Sequence, residues 1–464
     1  MSNTPTEKDG AIYDAKQLGM PKMLVLGLLH MLAMFGATIL VPILVNSYFH
    51  GEGLSIQVTL FFAGVGTLFF HICAKLKVPA FLGSSFAFLG GFATVAELNS
   101  GIFANMTYGE KLPYACGGIV VAGLLYLVLA LVIRLVGVKR VMRFLPPVVT
   151  GPIIICIGLS LAGSAINNAQ TNWFLALVAL IVIIAFNIWG KGMFKIIPIL
   201  MGVLISYAVA LAMQFAGMTN PDGSTIIDFT STASSAWVGL PDFILCKFNL
   251  TAILVMAPIA IATMMEHIGD MSAISATVGE NFLEDPGLHR TLIGDGLATA
   301  LSAFFGGPAN TTYGENTGVL ELSRVFDPAV IRIAAVYAVV LSFVPKFASI
   351  IGSMPASIIG GVSFILYGMI SAIGIRNVVE NRVDLTNSRN LIIAAVILVC
   401  GLGFSSGLTF EIAGTSITLT SLAIASIAGV LLNAILPGND YEFGVSPEGD
   451  MNRGVTLKAR HRKD

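Results

Sequence analysis

Fourteen apolar segments, each near the length needed to cross a membrane, dominate the 464-residue sequence. A helix of about 20 apolar residues spans a bilayer core. Of all residues, 56% are hydrophobic and 11% are charged, whereas soluble domains carry about a quarter charged residues. We therefore predict an all-α polytopic membrane protein. The segments cover residues 22–47, 56–75, 79–98, 113–136, 145–165, 173–190, 196–216, 251–275, 291–306, 309–323, 329–350, 355–373, 390–406 and 416–436.

The positive charges predict the orientation of these segments. If the amino terminus is cytoplasmic, 22 of the 25 Lys and Arg residues fall on the cytoplasmic side, leaving Lys111, Lys247 and Lys346 outside. This distribution follows the positive-inside rule and predicts cytoplasmic amino and carboxyl termini. The net charge of -1 shows no basic excess for nucleic acid, and the first 21 residues lack the apolar core of a signal peptide.

The third and tenth segments are interrupted. Pro79 opens the third segment and Pro308 directly precedes the tenth. Both segments continue through β-prone or small polar residues and only then become helix-like. Matching interruptions in two sets of seven spans predict 7+7 inverted repeats, with the binding site at the interruptions. We expect spans 3 and 10 to be part extended and part helix. The predicted division is 1–21 cytoplasmic tail, 22–216 first repeat, 217–250 polar outer loop, 251–436 second repeat and 437–464 cytoplasmic tail.

Three acidic residues stand out within the predicted membrane region: Glu266, Asp270 and Glu315. Ionisable groups are costly in a bilayer and usually face a functional cavity. Glu266 and Asp270 are four residues apart and share a helix face. A purely structural role stays open, above all for Asp270, because it approaches the cytoplasmic end of its span.

Glu315 follows Tyr313-Gly314, where the extended chain is expected to turn into a half-helix. The first N–H groups of that helix are free donors at the positive end of its dipole. The same geometry is expected at Ser85-Phe86. Donors from both ends, with acceptors from Glu266 and Glu315, complement a planar imide ring better than a phosphate or sulfate.

Two other residues are weaker candidates, because each is equally consistent with core packing. His30 lies in the middle of the first span, and Tyr367 follows a glycine pair in the twelfth. The five cysteines are scattered with no metal-ligand spacing, and no HExxH or GxSxG motif occurs. We therefore predict neither an enzyme nor a protein with a metal or cofactor.

Several motifs resemble the nucleobase–ascorbate transporter (nucleobase:cation symporter-2) family, most closely its bacterial uracil-transporting members. The resemblance covers residues 22–436 and is carried by four motifs in order. These are Leu29-His-Met-Leu-Ala-Met-Phe-Gly-Ala-Thr-Ile-Leu-Val-Pro42, Phe81-Leu-Gly-Ser-Ser-Phe-Ala-Phe88, Glu266-His-Ile-Gly-Asp270 and Asn310-Thr-Thr-Tyr-Gly-Glu-Asn-Thr-Gly318. The family signature runs from Glu315 to Arg324, with Ser323 in place of the usual threonine.

The resemblance implies a proton-coupled symporter of the bacterial inner membrane that imports a nucleobase, with uracil the favoured substrate. Members of the family often dimerise. It implies a core of spans 1–4 and 8–11 and a gate of spans 5–7 and 12–14. The implied substrate-binding residues are Glu266, Glu315, Tyr313, Tyr367 and the backbone amides of Phe86 and Gly314. The expected proton-coupling residues are Glu266, Asp270, Glu315 and His30.

Two positions bear on the substrate. Some uracil permeases have histidine where this chain has Asp270, which leaves a xanthine or other purine substrate open. Glu315, in place of the glutamine common in purine carriers, favours uracil. A sulfate-type anion transporter is a further alternative, which the acidic pair Glu266 and Glu315 argues against.

Overall fold

The computed structural model describes residues 11–412, 415–438 and 441. Residues 1–10 of the predicted amino-terminal tail, and all of the predicted carboxyl-terminal tail beyond 441, lie outside this part. The helices are α1 Met20–Tyr48, α2 Ile56–Cys73, α3 Leu89–Ala96, α4 Tyr108–Val136, α5 Val138–Met142, α6 Pro147–Ser160, α7 Ala162–Ala169, α8 Trp173–Trp189, α9 Met193–Ile196, α10 Pro198–Phe215, α11 Thr230–Ser234, α12 Leu250–Met256, α13 Ala260–Val278, α14 Leu288–Phe304, α15 Gly314–Ser323, α16 Pro328–Ser342, α17 Pro345–Gly352, α18 Ala356–Glu380, α19 Ser388–Gly403 and α20 Ser421–Ile435. The strands are β1 Leu82–Ser84, β2 Asn310–Thr312, β3 Leu408–Ile412 and β4 Thr415–Leu419.

Each predicted apolar segment coincides with a helix, a pair of consecutive helices or a strand followed by a helix. Within the described residues, seven helical stretches are long and apolar enough to cross a membrane. An eighth is added if α16 and α17, bent by 86° at their junction, form one span. Helices α8, α19 and α20 are apolar but shorter.

The third and tenth segments are extended and then helical. Strand β1 precedes α3, strand β2 precedes α15, and the two strands pair antiparallel with Leu82 opposite Thr312. A side chain at Gly83 would collide with the Tyr313 ring and would lie 2.7 Å from the Thr38 hydroxyl oxygen. The glycine therefore lets the aromatic ring lie directly on the β1 backbone.

One part of the chain differs from the sequence-based expectation. Strands β3 and β4 form a hairpin between α19 and α20, so the all-α prediction is wrong there. The alternating Thr and aliphatic residues of β4 suit a strand, and reading 416–436 as one helical span overlooked them. The predicted outer loop, 217–250, contains the short helix α11, and Trp237 and Leu240 in its second half are exposed.

The described amino-terminal segment packs against the link between α15 and α16. Ile12 donates its backbone N–H to Arg324 O at 2.8 Å and accepts from the Phe326 N–H at 2.8 Å. Tyr13 donates its hydroxyl to Val278 O at the end of α13, at 2.8 Å. The segment thereby joins the ends of two helices that carry predicted site residues.

Glycines allow α4 and α14 to cross closely. A Cβ atom on Gly123 would lie 2.5 Å from the carbonyl oxygen of Gly296 and 2.9 Å from the amide nitrogen of Ala300. These neighbours are backbone atoms and cannot rotate away. The closeness of the two helices therefore depends on the missing side chain.

We expect Gly123→Ala to destabilise the protein by about 1–3 kcal/mol, the usual cost of overpacking a core. Thermal unfolding of the purified protein in detergent measures the effect. Gly163→Ala is the matched control, since a Cβ on Gly163 in α7 meets nothing within 4 Å. Equal melting temperatures for the two variants would contradict this account of the α4–α14 contact.

Candidate functional site

The ribbon of β1 and β2 brings the two interrupted segments together. Ser85 donates its N–H to Ala309 O at 2.9 Å, and Tyr313 donates its N–H to Phe81 O at 3.0 Å. An antiparallel pair has a local two-fold axis, which here passes between Gly83 and Thr311. Residues three positions beyond these two, Phe86 and Gly314, are therefore in equivalent places.

Helix α15 begins at Gly314, with Glu315 in its first turn, and no side chain caps its start. Free N–H groups and the positive end of the helix dipole therefore lie beside the Glu315 carboxylate. The equivalent helix on the other side, α3, begins at Leu89, three residues later than expected from Ser85-Phe86. A turn fills the gap, in which Leu89 donates its N–H to Phe86 O at 3.1 Å.

A cavity of about 220 Å³ reaches this place. It is lined on one side by Gly314 and Glu315 of α15 together with residues of α1, and on the other by α10 and α18. Glu315 is half-buried at its wall. The cavity thus gives a small molecule access to the start of α15.

The two acidic residues of α13 have different surroundings. Asp270 accepts a hydrogen bond from the Thr312 hydroxyl at 2.5 Å, which ties α13 to β2. One carboxylate oxygen of Glu266 is buried and has no hydrogen-bond partner among the described residues. Asp270 is therefore engaged with the ribbon, whereas Glu266 has an acceptor oxygen that no described residue occupies.

Aromatic residues surround the ribbon. The rings of Phe86 and Tyr367 meet edge to face, with centroids 6.0 Å apart, which connects the predicted site to α18. Tyr313 donates its hydroxyl to Ser84 O at 2.8 Å, so its ring is fixed against β1.

His30 connects α1 to the same half-helix. Asn316, which follows Glu315, places its side-chain nitrogen 3.3 Å from His30 Nδ1 and donates to His30 O at 3.1 Å. His30 is fully buried. This contact orients α15 relative to α1 and does not itself place His30 against a ligand.

Sequence reasoning missed a fourth membrane acid, Asp295. It lies on α14, and its Oδ2 atom is 2.8 Å from Nδ1 of His267, although the approach is poorly aligned for a hydrogen bond. Both side chains are completely buried. The signal was present, because Asp295 stands inside the predicted ninth span, between two glycines.

No group of three or more His, Cys, Asp or Glu side chains in the described residues is arranged to hold a metal ion. The arrangement instead offers hydrogen-bond donors from a helix start and acceptors from several carboxylates. Such a set can exchange hydrogen bonds with a polar small molecule.

Residues 21–410 match the model of a permease family, Xan_ur_permease, and the chain belongs to this family. It is 40% identical over 442 residues to the uracil permease of Bacillus caldolyticus, covering 92% of this chain and 94% of that one. It is 39% identical to the uracil permease of Bacillus subtilis (strain 168), with 88% and 91% covered. The putative pyrimidine permease RutG of Escherichia coli (strain K12) is 36% identical, with 94% of each chain covered. The protein is therefore a multi-pass membrane permease and not an enzyme.

Solved structures share the fold. The transmembrane domain of the cyanobacterial bicarbonate transporter BicA superposes with a TM-score of 0.61 at 14% identity, covering 90% of this chain and 99% of that one. The structure of SLC26A9 gives a TM-score of 0.62 at 12% identity, with 91% and 66% covered. At these identities the comparison establishes the architecture alone.

We expect Asp295→Ala to destabilise the protein by about 1–3 kcal/mol, since it leaves His267 without its buried partner. Asp295→Asn, which keeps an acceptor oxygen, should lose less. Thermal unfolding in detergent compares both with Asp242→Ala, a change at an exposed acid of the 217–249 segment. An Asp295→Ala variant as stable as the Asp242→Ala control would show that the pair contributes nothing to folding.

Proposed function

We propose that the protein is a proton-coupled symporter that imports a nucleobase, with uracil the favoured substrate, by alternating access. The observation that carries the proposal is the ribbon, which sets the start of α15 and the turn at Phe86 in equivalent places beside membrane-embedded acids. The uracil permeases among the relatives support the substrate class. Competition of labelled uracil uptake by each nucleobase tests the assignment.

Uracil presents imide N–H donors flanked by carbonyl acceptors. In the proposed complex, the carboxylates of Glu266 and Glu315 accept from the ring N–H groups. The backbone N–H groups of Phe86 and Gly314 donate to the carbonyls, and Tyr313 and Tyr367 border the ring. Glu266 has an unpaired oxygen and Glu315 lines a cavity, which supports these roles.

For the topology, we propose fourteen spans in two inverted repeats, 22–216 and 251–436, with both termini cytoplasmic in the inner membrane. Spans 1–4 and 8–11 form the core, and spans 5–7 and 12–14 form the gate. The local two-fold axis of the ribbon supports an inverted relation between the halves. The distribution of Lys and Arg supports the orientation. The resemblance to dimerising transporters supports a homodimer.

The cavity at Glu315 supports alternating access. Its walls come from α1 and α15 of the proposed core and from α10 and α18 of the proposed gate. Its rim includes Lys195, which the positive-inside rule places on the cytoplasmic side. We infer that this cavity is the cytoplasmic route to the site. Movement of the gate against the core would close it.

A second substrate class has a specific observation in its favour. The fold is shared with a bicarbonate transporter and with the anion transporter Slc26a9. Membrane acids beside the ribbon would repel an anion, so a neutral nucleobase remains the better fit. Uptake of labelled sulfate without uptake of uracil would reverse this choice, and competition by xanthine would extend the substrates to purines.

Import together with protons predicts a definite response to pH. Uracil uptake into proteoliposomes should increase as the outside is made acidic and should collapse when a protonophore removes the gradient. Accumulation of uracil against its own gradient is the quantity to measure. Uptake that follows a sodium gradient and ignores pH would refute proton coupling.

Asp270 is the proposed relay for the coupling proton, shared with Glu266, Glu315 and His30. Asp270→Asn keeps an oxygen that can accept from Thr312, so we expect it to bind uracil but to lose concentrative uptake. Thr312→Val removes the hydrogen bond between Thr312 and Asp270 but keeps the Asp270 carboxyl group, so this variant should still accumulate substrate. Full accumulation by Asp270→Asn would return Asp270 to a structural role.

Glu315→Gln keeps the shape of the side chain and removes its charge. A hydrogen bond to a charged group contributes about 1.5–3 kcal/mol, so uracil binding should weaken roughly ten- to a hundredfold. Calorimetry on purified protein measures the change. Glu321→Gln, on the exposed part of the same helix, is the control and should bind normally. Unchanged affinity in Glu315→Gln would refute the proposed site.

A further inference from the structure

Pairing between β1 and β2 satisfies the backbone groups on only one edge of each strand. Each strand has an outer edge whose N–H and C=O groups face away from the partner. The cross-strand bonds of Ser85 and Tyr313 direct the backbone groups of Leu82 and Asn310 to these outer edges. Both residues are buried, and a bilayer interior supplies no water to satisfy such groups.

One threonine hydroxyl satisfies the backbone groups of Leu82 at the outer edge of β1. The Oγ1 atom of Thr67, on α2, accepts from the Leu82 N–H at 2.9 Å. It lies 3.2 Å from Leu82 O and 2.7 Å from Ala63 O of its own helix, so its single proton is shared between two carbonyls. Thr67 is completely buried. At Leu82, a single side chain thus makes the hydrogen bonds that a neighbouring strand would make.

A second threonine does the same for β2. Thr299, on α14, accepts from the Asn310 N–H at 3.2 Å and donates to Asn310 O at 3.0 Å. The local two-fold axis of the ribbon relates Asn310 to Leu82. The two threonines come from the helices that precede the two strands in the chain. A threonine hydroxyl therefore bonds to an outer-edge residue of each strand, at positions related by the two-fold axis of the ribbon.

We propose that Thr67 and Thr299 are positioning residues of the ligand site: their hydroxyls fix the β1–β2 ribbon and, through it, the backbone amides of Phe86 and Gly314. This inference rests on the proposed nucleobase function. Neither threonine touches the ligand. Thr67 bonds to Leu82, which lies four residues before Phe86. Thr299 bonds to Asn310, which lies four residues before Gly314.

Valine matches threonine in shape and lacks the hydroxyl. We expect Thr67→Val and Thr299→Val each to weaken uracil binding about tenfold, as the strand edge shifts to recover its hydrogen bonds. Thr67→Ser and Thr299→Ser, which keep the hydroxyl, should bind nearly as tightly as the wild type. Calorimetry on folded, monodisperse protein gives the dissociation constants.

The two helices provide matched controls. Thr59 on α2 and Thr291 on α14 are equally buried, but within the described residues their hydroxyls donate only to carbonyls of the preceding helical turn, Ser55 O and Leu288 O. Valine at these positions should leave uracil affinity unchanged. A purely structural role for Thr67 and Thr299 would lower the melting temperature of their valine variants without altering the affinity of the folded fraction.

Wild-type affinity in folded Thr67→Val and Thr299→Val would overturn the inference, whatever their melting temperatures. If the valine variants do not fold, alanine variants replace them, and alanine that binds as tightly as serine overturns it equally. Failure of the proposed function is a separate result. In that case the wild-type protein itself binds no uracil.

Discussion

A peptide group inside a bilayer must find its hydrogen-bond partner within the protein, and the β1–β2 ribbon is where this chain meets that demand without a helix. The ribbon interrupts two membrane segments and exposes the helix start at Gly314. Its strand edges are satisfied from α2 and α14, its Ser84 carbonyl from Tyr313, and α13 is attached to it through Thr312 and Asp270. The six residues of these two strands therefore position the helices around the site.

Much of this arrangement is predictable from the sequence because its causes are local. Proline followed by small polar residues cannot form an uninterrupted apolar helix, so the breaks after Pro79 and Pro308 could be located in advance. The spacing of Glu266 and Asp270 places them on one helix face. The two breaks lie more than 200 residues apart, so no local pattern relates them. Their relation could be predicted only because the chain was treated as two repeated halves.

Other features depend on contacts that local patterns do not encode. Asp295 can be located from the sequence as an acid inside the ninth predicted span, but its pairing with His267 depends on the packing of α14 against α13. The start of α3 at Leu89 depends on a turn that the hydrophobic pattern does not distinguish from helix. The β3–β4 hairpin was hidden because its apolar residues continue into α20, and hydrophobicity alone does not separate strand from helix.

The attachment of the amino-terminal segment has a mechanical consequence. Ile12 is hydrogen-bonded on both sides to the link after α15, and Tyr13 is bonded to the end of α13. The chain ahead of the first helix is thus coupled to the two helices that carry Glu266 and Glu315. If those helices move relative to α10 and α18, this segment should move with them. A spectroscopic probe attached near residue 11 would therefore report on motion at the buried site.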